Sequence, residues 1–134
     1  MIIEPPDRAT HDAQAEVRAE FDRYEQALVA GDVDSMDAQF WSSSDLVRFG
    51  IDDMQLGADE VAAWRRTQPP LPAGRTLSDT RITGFGPDVV VVTTCFEYPQ
   101  RPIIGRQTQT WARLAEGWRI VSAHVSEVAH PDRA

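Results

Sequence analysis

GRQTQTWARLAEGWRIVSAHVS, residues 105–126, reads as two long strands joined by the short turn AEG. Its first half is unusual for a sheet. Successive side chains of a strand point to opposite faces. Arg106, Thr108 and Thr110 therefore share one face, and Gln107, Gln109 and Trp111 share the other. Neither face is oily, so either one is wet or the strand lines something that needs hydrogen bonds. The second half puts Arg119, Val121, Ala123, Val125 and Glu127 on one face, and Trp118, Ile120, Ser122, His124 and Ser126 on the other. The first face is apolar in its middle; the second grows more polar along the strand. Adjacent strands with polar inward positions fit a partly polar cavity or a hydrated contact face.

Working outward, strands are expected over 75–85, 88–98, 104–114 and 117–128, separated by the turns GFGPD, PQRPI and AEG. Consecutive strands on short turns pair as an antiparallel meander. Upstream, Val17, Phe21, Tyr24 and Leu28 form one apolar stripe of a helix running from about Asp7 to Ala30, and Gly31 ends it. A short helix follows at 33–40, then short strands at 46–50 and 54–57 around the turn IDD. A third helix spans 58–66, and TQPPLPAG at 67–74 is a proline-rich loop. Helices gathered at the start must cover one face of the sheet, which is an α+β arrangement. A curved sheet wrapped around the long first helix makes a cone with an interior pocket. The length of 134 residues favours one domain over 1–134, with residues 1–9 and 129–134 as loose termini.

Composition narrows the function. The net charge of −8 argues against a nucleic-acid partner and against an anionic membrane surface. No apolar run approaches the roughly 18 residues of a membrane span. MIIEPPDRATHDAQ lacks the basic and apolar regions of a signal peptide. With a single cysteine, Cys95, these features fit a reducing cytoplasm. All 13 basic residues are arginine, which excludes a Schiff-base or P-loop lysine. Any anion must be held by arginine, whose planar fork suits carboxylates, or by backbone N–H groups. His11, His124 and His130 have no metal-ligand spacing, and Cys95 has no CxxC partner, so neither a metal nor a cofactor is expected. There is no GxSxG, and GFGPD is a turn rather than a dinucleotide fingerprint.

Three residues stand out. Tyr24 lies on the buried stripe of helix 1, either as a core tyrosine or as a phenol aimed into the pocket. Arg48, in DLVRFG, shares a strand face with Leu46. It either faces solvent on an edge strand or stands at the pocket wall, where a charge needs a partner. His124 is either structural or an orienting group.

The order of elements resembles the nuclear transport factor 2-like cone, which includes ketosteroid isomerases and SnoaL-like cyclases. FDRYEQALVAGDVDSMDAQFW, VRFG, LGADEVAAWRR and GRQTQTWARLAEGWRIVSAHVS together resemble the AtzH-like group (DUF3225) over about residues 10–128. These proteins accompany amidohydrolases in cyanuric acid and oxalurate breakdown. The resemblance implies cofactor-free, decarboxylating hydrolysis of 1,3-dicarboxyurea to allophanate, with catalytic roles for Tyr24 and Arg48. Arg75, Arg106, Gln107 and His124 are candidates for binding the small carboxylate substrate. The family's Arg-Pro after helix 3 is displaced here in RRTQPP, so its arginine corresponds to Arg65 or Arg66. The resemblance also implies a homodimer and association with an amidohydrolase. The alternatives are a SnoaL-like isomerase or cyclase, which would need an acidic general base, and a non-catalytic ligand-binding accessory protein.

Overall fold

The computed structural model describes residues 2 and 5–132. The loose-terminus expectation for residues 1, 3, 4, 133 and 134 falls outside them. Helix α1 (Arg8–Ala30) starts at Asp7, whose carboxylate accepts the Thr10 N–H at 2.9 Å. It stops at Gly31, whose φ of 70° suits a residue without Cβ. Arg8 and Ala9, which fall both in the expected loose terminus and in the helix expected from about Asp7, are helical, and Ala129, expected to be loose, ends the last strand. Asp32 caps the short α2 (Val33–Ala38) by accepting the Ser35 N–H. The strands β1 (Val47–Phe49) and β2 (Met54–Leu56) precede α3 (Ala58–Arg65). Four long strands follow: β3 (Thr76–Gly84), β4 (Val89–Glu97), β5 (Ile103–Leu114) and β6 (Gly117–Ala129).

One sheet holds all six strands in the order β2-β1-β6-β5-β4-β3. The meander expected for the last four is present. Less expected is the place of β1, which lies parallel to β6 with Arg48 opposite Ala123. The sheet is curved and does not close, and the fold is the α+β cone. Helix α1 lays Ala13, Val17, Phe21, Tyr24 and Ala27 against inward side chains of the strands, among them Val90, Val92, Trp111 and Ile120. Burial of these apolar groups, at roughly 25 cal/mol per Å² removed from water, drives the packing of helix on sheet.

A β-bulge corrects the face assignment of the last strand. Thr110 pairs with Ser122 but Trp111 pairs with Ile120, so Val121 is an extra residue on β6. One unpaired residue reverses the alternation beyond it. Trp118 and Ile120 face inward before the bulge; Ala123, Val125 and Glu127 face inward after it. His124 consequently lies on the outer face, exposed, with its ring edge-on to Phe49 at 5.4 Å.

Candidate functional site

The cone encloses a cavity of about 690 Å³. Strand alternation decides who reaches it. On β5 the buried positions are Gly105, Gln107, Gln109 and Trp111, while Arg106 and Thr108 are exposed. The amide-rich face of GRQTQTW is therefore the inner one. Arg106 lies outside, where its Nε donates to Ser126 at 3.1 Å. Arg106 and His124, both expected at the substrate, are thus not brought to the cavity. Tyr24, Arg48, Arg75 and Gln107 all line it.

Arg48 comes inward because its register partner, Ala123, is an inward and small residue. Its Nη1 donates to Asp53 Oδ1 at 2.9 Å and to Gln55 Oε1 at 2.8 Å. Gln55 Nε2 donates to the same Asp53 oxygen, which completes a small brace. The guanidinium stacks 3.8 Å from the centre of the Trp64 ring. Its Nε and Nη2 make no hydrogen bond among the described residues. Burial, helped by the nearby Arg65 charge, lowers the Arg48 pKa from its ordinary value, while Tyr24 and Asp53 act in the opposite direction. Tyr24 is thus within electrostatic reach of the guanidinium. Its ring packs edge-on to Phe40 at 6.0 Å, and its hydroxyl has no hydrogen-bond partner among the described residues.

Arg75 belongs to a closed network. Its Nε donates to Glu25 at 3.0 Å, Nη1 to the Tyr98 hydroxyl at 3.0 Å, and Nη2 to Gln107 Oε1 at 3.2 Å. Gln107 Nε2 donates to Glu25 in turn, at 3.2 Å. The guanidinium also stacks on Phe96 at 4.2 Å. Burial opposes its charge, but Glu25 and Tyr98 outweigh burial and raise its pKa. Arg75 and Gln107 therefore sit in the wall with these groups engaged.

Of the two arginines left open by RRTQPP, Arg65 lines the cavity and Arg66 does not. The signal was in the helix period: Val61 and Arg65, four apart on α3, are its buried residues. Gln109 was also legible, sharing a strand face with Gln107; its Oε1 accepts from Trp111 Nε1 at 3.1 Å. Arg101 also reaches the cavity and is clamped by both oxygens of Glu127. Residues 68–72 of the proline-rich loop complete the wall. Among the described residues, no group of three or more His, Cys, Asp or Glu gathers as a metal site would require. No helix among them is long and apolar enough to cross a membrane.

What this arrangement offers is cationic donors and a free phenol facing a shared space. The AtzH-like family model matches residues 8–131. A cystatin-like fold protein from Burkholderia xenovorans LB400 is 47% identical, with a TM-score of 0.87 over 90% of this chain and 95% of that one. A DUF3225 protein of unknown function from Pectobacterium atrosepticum SCRI1043 is 42% identical, with a TM-score of 0.85 over 88% of this chain and 92% of that one. An NTF2-like protein of unknown function from Pseudomonas putida KT2440 shares the fold at 18% identity, with a TM-score of 0.71 over 87% of each chain. No curated protein matches the chain.

Proposed function

Because the chain belongs to the AtzH-like family, within the nuclear transport factor 2-like fold, we propose that it is a cofactor-free decarboxylating amidohydrolase. Its substrate is a small N-carboxylated urea of the 1,3-dicarboxyurea type. The observation that carries this reading is the convergence of Tyr24 and Arg48 on one cavity, the phenol unpaired and the guanidinium only partly used.

The chemistry follows from those two groups. Arg48 holds a substrate carboxylate through Nε and Nη2, the donors its brace leaves open. The brace with Asp53 and Gln55 and the stack on Trp64 fix the guanidinium, so the urea is held in one orientation. The bond between nitrogen and the carboxylate carbon then breaks. Carbon leaves as carbon dioxide, and the bonding pair stays on nitrogen. Tyr24 gives that nitrogen its proton, and solvent returns one to the phenolate. The nearby Arg48 charge eases the transfer by stabilising the phenolate. The product is allophanate.

The isomerase alternative needs a free acidic base in the cavity. Asp52, Asp53 and Glu127 line it; Asp53 accepts from Arg48 and Gln55 and Glu127 from Arg101, which leaves exposed Asp52, on the turn between β1 and β2, as the acid that reading would have to use. We further propose a homodimer. All three helices cover the inner face of the sheet, leaving Phe49 and Val128 exposed outside, and sedimentation of the purified chain tests it.

Freshly generated 1,3-dicarboxyurea incubated with the protein tests the activity through release of carbon dioxide and allophanate. Turnover above the spontaneous rate is expected. A rate equal to the spontaneous one would rule out this substrate.

A further inference from the structure

Two buried arginines of the cavity wall are in opposite states of use. Arg75 spends Nε, Nη1 and Nη2 on Glu25, Tyr98 and Gln107. Arg65 is as well buried, its side chain only 6% exposed, yet it is poorly satisfied. Its Nε makes a long bond to Asp37 at 3.3 Å, and its Nη1 meets the Met36 sulfur at 3.2 Å. A thioether is a weak acceptor. Asp37 is also shared, since Arg66 holds its other oxygen at 2.7 Å. Nη2 of Arg65 is covered and has no partner among the described residues. A buried donor left without a partner is costly, more so on a charged group, and a native structure that keeps one invites an explanation.

Position supplies it. Arg65 and Arg48 flank the same indole: their guanidinium carbons lie 5.8 and 3.8 Å from the Trp64 ring centre. Asp53 and Asp37 offset these two like charges only in part, since Arg65 still opposes the charge on Arg48, and an anion placed between them is attracted by both. To meet an anion in the cavity the covered Nη2 must turn outward, which gives up the weak contact with the Met36 sulfur and loosens the long bond to Asp37.

We propose that Arg65 is a second anion anchor: with Arg48 it selects ligands carrying two carboxylates, one of which completes the hydrogen bonding of Nη2. This deepens the activity proposed above and rests on it for placing one carboxylate at Arg48. It makes Arg65 a specificity determinant, distinguishing a dicarboxylated urea from its mono-carboxylated product.

Glutarate and its monoamide, glutaramate, test this by calorimetry. They have the same length, and glutarate places its carboxylates three atoms apart as dicarboxyurea does, with no nitrogen–carboxylate bond to break. The wild-type chain is expected to bind glutarate at least about tenfold more tightly than glutaramate. Arg65→Gln should remove that preference, weakening glutarate by about ten- to a hundredfold while leaving glutaramate unchanged. Arg65→Lys should fall between, since it keeps the charge but not the fork. Equal binding of the two probes by the wild-type chain would overturn the proposal, and this measurement needs no variant to fold. So would an Arg65→Gln protein that keeps the preference, or one that loses both probes equally. Failure of the activity is read separately. Dicarboxyurea left intact while the glutarate preference depends on Arg65 would sink the reaction and keep the anchor. Turnover with an unchanged KM in Arg65→Gln would do the reverse.

Discussion

At the scale of the residue, the cavity separates side chains that hold the wall from side chains with groups to spare. Tyr24 has a free hydroxyl and sits beside a cation, so its removal should act on chemistry rather than on folding. Tyr24→Phe is expected to lower kcat on dicarboxyurea by about 10²- to 10⁴-fold, the usual yield of a positioned proton donor, with KM little changed. Steady-state kinetics beside an unchanged melting curve would check it. Arg75 should behave in the opposite way. Removing it leaves Glu25 largely buried without its partner, and such breaks cost about 3–5 kcal/mol. Urea denaturation of Arg75→Met should show that loss; replacing Glu25 and Arg75 together by apolar residues should restore much of it.

At the scale of the element, two devices shape the sheet. Phe96 lies across from Gly105, and a Cβ built on that glycine would stand 2.0 Å from the ring. Gly105→Ala must therefore displace Phe96, the ring on which Arg75 stacks. A loss of about 1–3 kcal/mol in chemical denaturation is expected, the common cost of overpacking. The second tie joins helix to sheet. The Glu16 carboxylate accepts from Trp118 Nε1 and from Arg113, bonds that hold its pKa below the ordinary 4.5. A pKa depressed by folding gives stability that is present above the unfolded value and lost as pH falls through the folded one. Glu16→Gln should therefore narrow the gap from the wild type as pH drops below about 4.5, by less than about 1 kcal/mol because the pair is half-exposed. Thermal melts across that range read the difference. Element positions were legible in the sequence to within a residue or two, because apolar periodicity and turn residues are local signals. The faces of β6 were not. A bulge such as that at Val121 is set by pairing with another strand, and no pattern within WRIVSAHVS announces it. The same blindness placed His124 at the site, whereas Arg106 was misplaced only because the face of β5 could not be chosen without knowing which side the helices cover.

At the scale of the whole molecule, an acidic chain surrounds a cavity that Arg48, Arg65, Arg75 and Arg101 all reach. Arg75 and Arg101 are held by Glu25 and Glu127, whereas Arg48 and Arg65 keep donors that can bind anions by charge, and added salt weakens such binding. Glutarate affinity should fall as sodium chloride is raised, and more steeply than that of glutaramate, as titrations at several ionic strengths would show. The sequence foretold the cone but not the parallel contact of β1 with β6, because the partners are separated by most of the meander. That contact also imposes an order in time. A nascent chain emerging from the ribosome exposes Tyr24, Arg48 and Arg65 early, yet the strand carrying Arg48 has no neighbour on that side until residues 122–124 are made. Newly synthesised chain therefore cannot complete the cavity wall beside Arg48 until β6 is in place, so this part of the pocket is among the last to form.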